Sequence, residues 1–284
     1  MSDYRLSVVI PNYNNEKFLK DCINSIENQT YPIEKIIVVD DCSSDSSLEV
    51  LDELSKIYSN LQIIPVEKNG KVSHARNTGL SRVDTPYVTF IDADDIYYNN
   101  RKIENEMNLI RDYKEKYNKD IISYSSIVFV SPDGSMKPSL KYKNRYYNQG
   151  NIFKNILTAK YQFTMMRDFC MPVSCIREVG GYDETSSLYE DLDLILKLSQ
   201  KNEFYYTGEE GTGYRLTGTG LSSRPIIEHI NKKKEIFERN IQDLPNFEKF
   251  WCRIMLKFNN YRNKFIIYKL RLFRKLNRLF LSKW

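Results

Sequence analysis

The first third of the chain alternates short apolar runs with stretches whose apolar residues recur every three or four positions. Leu6 to Ile10, Lys35 to Val39, Leu61 to Pro65 and Tyr87 to Ile91 are short and rich in β-branched residues, and they read as strands. Between them, Glu16 to Asn28 puts Phe18, Leu19, Cys22, Ile23 and Ile26 at helical spacing. Ser47 to Tyr58 does the same with Leu48, Leu51, Leu54 and Ile57, and Val72 to Leu80 reads as a third helix. Strands that alternate with helices predict βαβ units and a mostly parallel sheet. Uninterrupted apolar strands such as Ile36-Ile37-Val38-Val39 fit a sheet covered on both faces. Further on, Asn99 to Tyr117 reads as a helix and Ile121 to Val130 as a strand closed by the turn Ser131-Pro132-Asp133-Gly134. Lys137 to Gly150 is polar, basic and rich in tyrosine, and reads as a mobile loop. Glu190-Asp191-Leu192-Asp193 has the acids of a helix start.

Three of the strands end in polar clusters: Pro11-Asn12-Tyr13-Asn14, Asp40-Asp41 and Asp92-Ala93-Asp94-Asp95. In open α/β sheets, ligands bind beyond the carboxyl ends of the strands, so these clusters predict one site at one sheet edge. The third is the most informative. Like charges a few ångströms apart repel unless a cation lies between them. Oxygen-only ligands suit Mg²⁺ or Mn²⁺, which commonly share their shell with substrate phosphates. A solvated acidic turn after a strand is the plainer alternative for such a motif taken alone.

Composition narrows the function classes. The chain has 284 residues, 41% hydrophobic and 28% charged, as expected of a globular protein. It shows neither an apolar run of membrane-spanning length nor a secretory leader. Five scattered cysteines with no C-x-x-C pair argue against a disulfide framework and for a reducing, cytoplasmic setting. Only two histidines, His74 and His229, are present, which weighs against zinc and against a Ser-His-Asp hydrolase. Charge is unevenly spread. Residues 251–284 carry ten Lys or Arg and no acid, so of the net +5 the other 250 residues hold −5.

Taken together, the motifs resemble family 2 glycosyltransferases. Val8-Val9-Ile10-Pro11-Asn12-Tyr13-Asn14, Val38-Val39-Asp40-Asp41-Cys42-Ser43-Ser44-Asp45, Ala75-Arg76-Asn77-Thr78-Gly79, Asp92-Ala93-Asp94-Asp95, Gly180-Gly181-Tyr182-Asp183-Glu184 and Glu190-Asp191 follow in the family's order over roughly residues 5 to 222. The resemblance implies a GT-A fold, a Rossmann-like, mostly parallel sheet flanked by helices. It implies a nucleotide-sugar donor, usually UDP-linked, and inversion at the anomeric centre. Pro11, Tyr13, Asp41, Arg76, Asp92 and Arg215 would then contact the donor. Asp94 and Asp92 would hold Mn²⁺ or Mg²⁺, with Asp95 behind them. Asp191 would be the base that activates the acceptor hydroxyl, and Glu190 its partner.

Each role has a plainer rival: packing for Tyr13, a helix N-terminal acid for Asp41, a surface ion pair for Arg76 and helix-start acids for Glu190 and Asp191. Asn77 is expected to brace rather than touch substrate, and His74 to be a structural neighbour. Cys42 stands where the family usually has glycine, which a small residue can replace if the backbone there is not left-handed. Tyr214-Arg215 and Ser222 resemble, loosely, the family segment that closes over the diphosphate. Glycines 213, 218 and 220 suggest a mobile flap there.

The chain is expected to divide into a GT-A domain, 1–222, and a basic helical C-terminal extension, 223–284. In the extension, Arg271, Arg274, Lys275 and Arg278 share one helical face, and Phe265, Leu272, Leu276 and Leu279 another. Such a helix either packs on protein, a homodimer included, or adsorbs to an anionic inner membrane surface through Phe273, Phe280 and Trp284. Nucleic acid is not an expected partner, because no recognised module accompanies the charge. The expected activity is transfer of one sugar from a UDP-sugar to a glycan or lipid-linked acceptor in cell-surface polysaccharide synthesis. The Gln-x-x-Arg-Trp signature of processive synthases is absent, which favours a single addition per encounter. A nucleotidyltransferase would want a glycine-rich loop in place of Pro11 to Asn14, and a silent binding module would lack the acids. The sugar, the acceptor and the oligomeric state are not legible.

Overall fold

A computed structural model describes residues 3–135, 149–157, 168–186, 188–217, 225–242 and 244–254. The four expected strands form as β1 (Leu6–Asn12), β2 (Lys35–Asp40), β3 (Leu61–Pro65) and β4 (Tyr87–Phe90), all parallel, in the order β3-β2-β1-β4. The chain then adds β5 (Ile96–Tyr97), β6 (Ile122–Val130), β7 (Met171–Pro172) and β8 (Phe204–Arg215). Strand β7 extends the first sheet antiparallel to β4, while β5, β8 and β6 form a second, three-stranded sheet. The helices are α1 (Glu16–Glu27), α2 (Ser47–Ser55), α3 (Lys71–Ser81), α4 (Lys102–Tyr117), α5 (Phe153–Leu157), α6 (Val173–Glu178), α7 (Glu190–Lys201) and α8 (Ile226–Asn240). Residues 246–254 are also helical.

The two-residue period of a strand sorts its apolar residues to opposite faces. Val8, Ile10, Ile36 and Val38 pack with Leu19, Cys22, Ile23 and Ile26 of α1, Leu51 of α2, and Ile103, Met107 and Ile110 of α4. Val9, Ile37 and Val39 point the other way, into a core shared with Ala75, Ile176, Leu192, Ile195 and Phe204. Both faces of the sheet are therefore covered, as the unbroken apolar strands imply.

Some expectations shift. Helix α4 begins at Lys102 and not Asn99, because Asn99 makes a turn, its carboxamide oxygen accepting from the Arg101 N–H at 2.9 Å. Gly213, expected in a flap, lies inside β8 opposite Ile96, and Tyr214 and Arg215 are the end of that strand. Gly218, Gly220, Ser222, positions 137–148 of the expected loop and tail positions 255–284 lie outside the described residues. So does the chain at the expected division between 222 and 223. On its far side, Ile236, Phe237 and Ile241 in and after α8, and Cys252, are buried in the same core as Val9 and Leu192.

Candidate active site

The parallel register sets Asn12 beside Asp40, so the polar ends of β1 and β2 meet at one sheet edge. There the Asn12 side-chain amide donates to Asp40 at 2.7 Å, and the other Asp40 oxygen accepts from the Ser43 N–H at 3.0 Å. Asp41 is buried. Its carboxylate accepts from the Gly70 N–H at 2.8 Å, and its carbonyl accepts from the Asn69 side chain at 3.0 Å. It thus serves as a helix N-terminal acid, but for α3 and not for the α2 that follows it in sequence. Tyr13, at the same edge beyond Pro11, is half exposed. Cys42 has φ of +65°, in the left-handed region, so a small side chain does not by itself replace the family's glycine. That conformation costs an L-residue roughly 1–2 kcal/mol.

Beyond β4 the chain turns at Asp92, whose carbonyl accepts from the Asp95 N–H at 3.0 Å. One carboxylate oxygen from each of Asp92, Asp94 and Asp95 lies within 4.8 Å of the others. Three convergent carboxylates on a tight turn form an oxygen-only donor set that fits Mg²⁺ or Mn²⁺. Asp95 is buried behind the other two. It accepts from the backbone N–H of Arg215 at 2.8 Å, and the Arg215 guanidinium donates to the Asp94 carbonyl at 2.7 Å. The same guanidinium donates to the Pro132 carbonyl and lies 4.8 Å above the Phe18 ring. Arg215 therefore holds the turn from behind. Burial, and then the charges of Asp95 and Asp94, push the Cys22 thiol well above its ordinary range, so it stays protonated beneath the turn.

Arg76 joins this turn to the second acidic pair. On the buried face of α3, its guanidinium donates to Asp92 at 2.5 Å and to Glu190 at 2.8 Å, with only 7% of the side chain exposed. Tyr182 lies under it, 5.0 Å from ring centre to guanidinium carbon. Burial alone would lower the arginine's affinity for its proton, but the charges of Asp92 and Glu190 reverse that and hold it above its ordinary range. Burial, in turn, raises the Tyr182 phenol above its ordinary range. A surface ion pair, the plainer reading of Arg76, does not describe this geometry.

Glu190 and Asp191 begin α7, immediately after Tyr189, which has a left-handed φ of +62°. A tyrosine rarely holds that conformation unless its surroundings impose it. Asp191, Arg76, Tyr182, Phe90, Phe169, Leu194 and Asp168 line one cavity. The Gly-Gly-Tyr-Asp-Glu segment is clamped to α3. The Asn77 amide donates to the Tyr182 carbonyl at 2.9 Å and to Glu184 at 2.8 Å, and its oxygen accepts from the Tyr182 N–H at 2.9 Å. A Cβ at Gly181 would stand 2.7 Å from that oxygen, and the residue's φ is +71°, so glycine is required there. His74 meets Glu184 at 3.1 Å. Asn77 braces and His74 is a structural neighbour, both as expected.

The structure thus brings Arg76 and Asp191 to one cavity, with Asp92 and Glu190 paired to the Arg76 guanidinium and Pro11, Tyr13 and Asp41 along the adjoining edge. Asp168 was not anticipated. It sits among Arg167, Phe169 and Cys170 with no motif around it, and only its left-handed φ of +51° and the tertiary contacts single it out. Its carbonyl accepts from the Thr89 hydroxyl at 3.0 Å and from the Lys102 ammonium at 2.6 Å.

The family model described as Glycosyl transferase family 2 matches residues 7–171. Among curated relatives, the teichuronic acid biosynthesis glycosyltransferase TuaG of Bacillus subtilis is 25% identical over 89% of this chain and 95% of its own length. The minor teichoic acid biosynthesis protein GgaB of the same species is 29% identical over 85% of this chain, which spans only 27% of that longer protein. Among solved structures, residues 1–349 of S. aureus TarS in complex with UDP-GlcNAc superpose with a TM-score of 0.66 at 20% identity, covering 86% of this chain and 69% of that one. That likeness shows the fold, a mostly parallel α/β sheet flanked by helices of the GT-A class.

Proposed function

The chain belongs to glycosyl transferase family 2 and is a glycosyltransferase, and from that premise we propose that it is a metal-dependent, inverting enzyme moving one sugar at a time from a UDP-sugar to a glycan or lipid-linked acceptor. The observation that carries this reading is the buried bridge from Asp92 through Arg76 to Glu190, which ties the acidic turn to the start of α7, where Asp191 shares a cavity with Arg76. The TarS complexes with UDP and UDP-GlcNAc support a uridine nucleotide as donor. The names of TuaG and GgaB support a cell-surface glycan as product.

Along the sheet edge, Pro11 and Tyr13 would flank the nucleobase and Asp41 would accept its N3–H, a contact that favours uracil over cytosine. Asp94 and Asp92 would hold Mn²⁺ or Mg²⁺, with Asp95 behind them. Such a cation supplies neutralisation of the charge that develops on the UDP leaving group. Arg76 and Arg215 act on the donor side through the acids they hold, Arg76 through the Asp92 carboxylate and Arg215 through the Asp94 carbonyl. Asp191 takes the proton from the acceptor hydroxyl as that oxygen attacks the anomeric carbon. Glu190, fixed by Arg76, keeps the first turn of α7 in place beneath the acceptor.

With 1–222 as the catalytic unit, the basic extension would bring the enzyme to an anionic inner membrane surface, where a lipid-linked acceptor resides. Calorimetry with UDP, with and without Mn²⁺, on the intact chain and on Asp94→Ala tests the donor site. Binding that needs the metal and is lost in the variant is expected. No binding with any metal would remove UDP from the proposal.

A further inference from the structure

After α8, residues 246–254 form a helix whose two faces are inverted relative to an ordinary surface helix. Cys252 is buried, and Leu244 just before the helix packs on the main core. Glu248 pairs with Lys154 at 3.1 Å and Arg253 with Glu238 at 3.2 Å, which fixes the helix against α5 and α8. On the outer side stand Phe247, Phe250 and Trp251, which are 71%, 59% and 49% exposed, with Ile254 next in line. Their spacing of i, i+3, i+4 and i+7 puts them on one face. Trp251 makes edge-on ring contacts with Phe247 and Phe250, at 6.2 and 6.3 Å between centroids, so the three rings form one patch. Among the described residues, these three outward aromatic side chains belong to neither face of the apolar core.

What covers the patch follows from the charge beside it. Ten Lys or Arg and no acid fall within residues 251–284, while the rest of the chain is net negative. An aromatic stripe next to a cationic segment fits a surface that is apolar within and anionic outside. An anionic lipid leaflet is such a surface, with rings seated at the headgroup level and cations among the phosphates. A second copy of this chain fits less well, because by sequence it would bring a second segment of the same charge and no anionic complement to it.

We propose that Phe247, Phe250, Trp251 and Ile254 are the membrane-contacting face of this protein, seated in an anionic leaflet with the basic tail as its electrostatic partner. This deepens the membrane part of the function proposed above and does not depend on the identity of the donor. Among the described residues no helix is long and apolar enough to cross a membrane; the contact proposed is adsorption of an exposed helix face.

The test uses the full chain and vesicles of phosphatidylglycerol mixed with phosphatidylcholine, against vesicles of phosphatidylcholine alone. The chain has two tryptophans, so Trp284→Phe leaves Trp251 as the sole reporter. Its emission is expected to shift to the blue with the anionic vesicles only. The triple variant Phe247→Ser, Phe250→Ser, Trp251→Ser is expected to weaken co-sedimentation with them by about tenfold or more. Its urea midpoint and UDP affinity should stay unchanged, since all three side chains are exposed and outside the cavity. Unshifted Trp251 emission, undiminished co-sedimentation of the triple variant, or equal binding to neutral vesicles would each overturn the proposal. So would a dimer in light scattering that the triple variant dissolves without loss of vesicle binding. Because UDP affinity is read on the same samples, failure of the donor reading leaves a separate mark.

Discussion

Arg76 concentrates more of the site's energetics than any other side chain. Its guanidinium is buried and shared between a carboxylate of the acidic turn and one at the start of α7. Removing one member of such a buried cluster leaves uncompensated charge. Arg76→Met is therefore expected to cost about 3–5 kcal/mol, read as a lower urea midpoint, with loss of transfer as well. Asp191 calls for the opposite kind of test. As a base it should matter to the chemistry and hardly at all to donor binding. Asp191→Asn keeps size and shape, and transfer is expected to fall by roughly 10²–10⁴-fold while UDP affinity stays within about twofold. A parallel loss of UDP binding would mean that the residue holds the donor instead.

At the scale of elements, helix α4 and strand β8 show how the site is supported from behind. Lys102 and Glu106 are both fully buried and pair at 2.9 Å, with the ammonium 4.7 Å from the Tyr97 ring centre. Gly211 of β8 crosses directly over them, where a Cβ would meet the Lys102 chain at 2.8 Å and Ser125 at 2.6 Å. Burial would lower the lysine's proton affinity, but the Glu106 charge outweighs it and the ammonium is kept above its ordinary range. Through the Asp168 carbonyl this pair braces one wall of the cavity. Lys102→Met alone is expected to destabilise by about 3–5 kcal/mol in urea unfolding. Adding Glu106→Leu should recover most of that loss. The Cys170 N–H keeps the Ser123 carbonyl, and the Asp168 carbonyl keeps the Thr89 hydroxyl.

For the molecule as a whole, α8 is docked by charge as well as by apolar burial. Arg239 donates to Asp183 and to Asp193, both at 2.6 Å, and Asn240 donates to Asp193 at 3.0 Å. Asp183 belongs to the same segment that Asn77 clamps to α3, so α8 and the site share a support. Burial works against the Asp183 charge, but hydrogen bonds from Thr185 and Arg239 outweigh it and lower its pKa to about 2. The unfolded chain therefore takes up this proton first. The contribution is complete above about pH 4 and is lost as pH falls towards 2. Asp183→Asn should flatten the fall in urea midpoint over that window relative to the unaltered chain. Superimposable curves would show that the Arg239 contact adds nothing.

The order of β1 to β4 with α1 to α3, the parallel sheet and the edge at which polar residues gather were legible in the sequence. Each rests on local periodicity, because a strand's two-residue and a helix's 3.6-residue repeat already say which side chains are buried. The candidate acids Asp92, Asp94, Glu190 and Asp191 were legible too, as breaks in that periodicity. Strand β8 was not. Phe204 to Arg215 carries three glycines and two glutamates, and its place is decided by β5 and β6 on either side. Nor were the α3 helix start that Asp41 serves, the left-handed backbone of Cys42, the Asp168 wall or the outward aromatic stripe of 246–254. These depend on which groups arrive within a few ångströms of one another from distant parts of the chain. Residues 76 and 190 are far apart in sequence and 2.8 Å apart in space, and only burial, which makes an unpartnered charge prohibitive, turns that approach into a site.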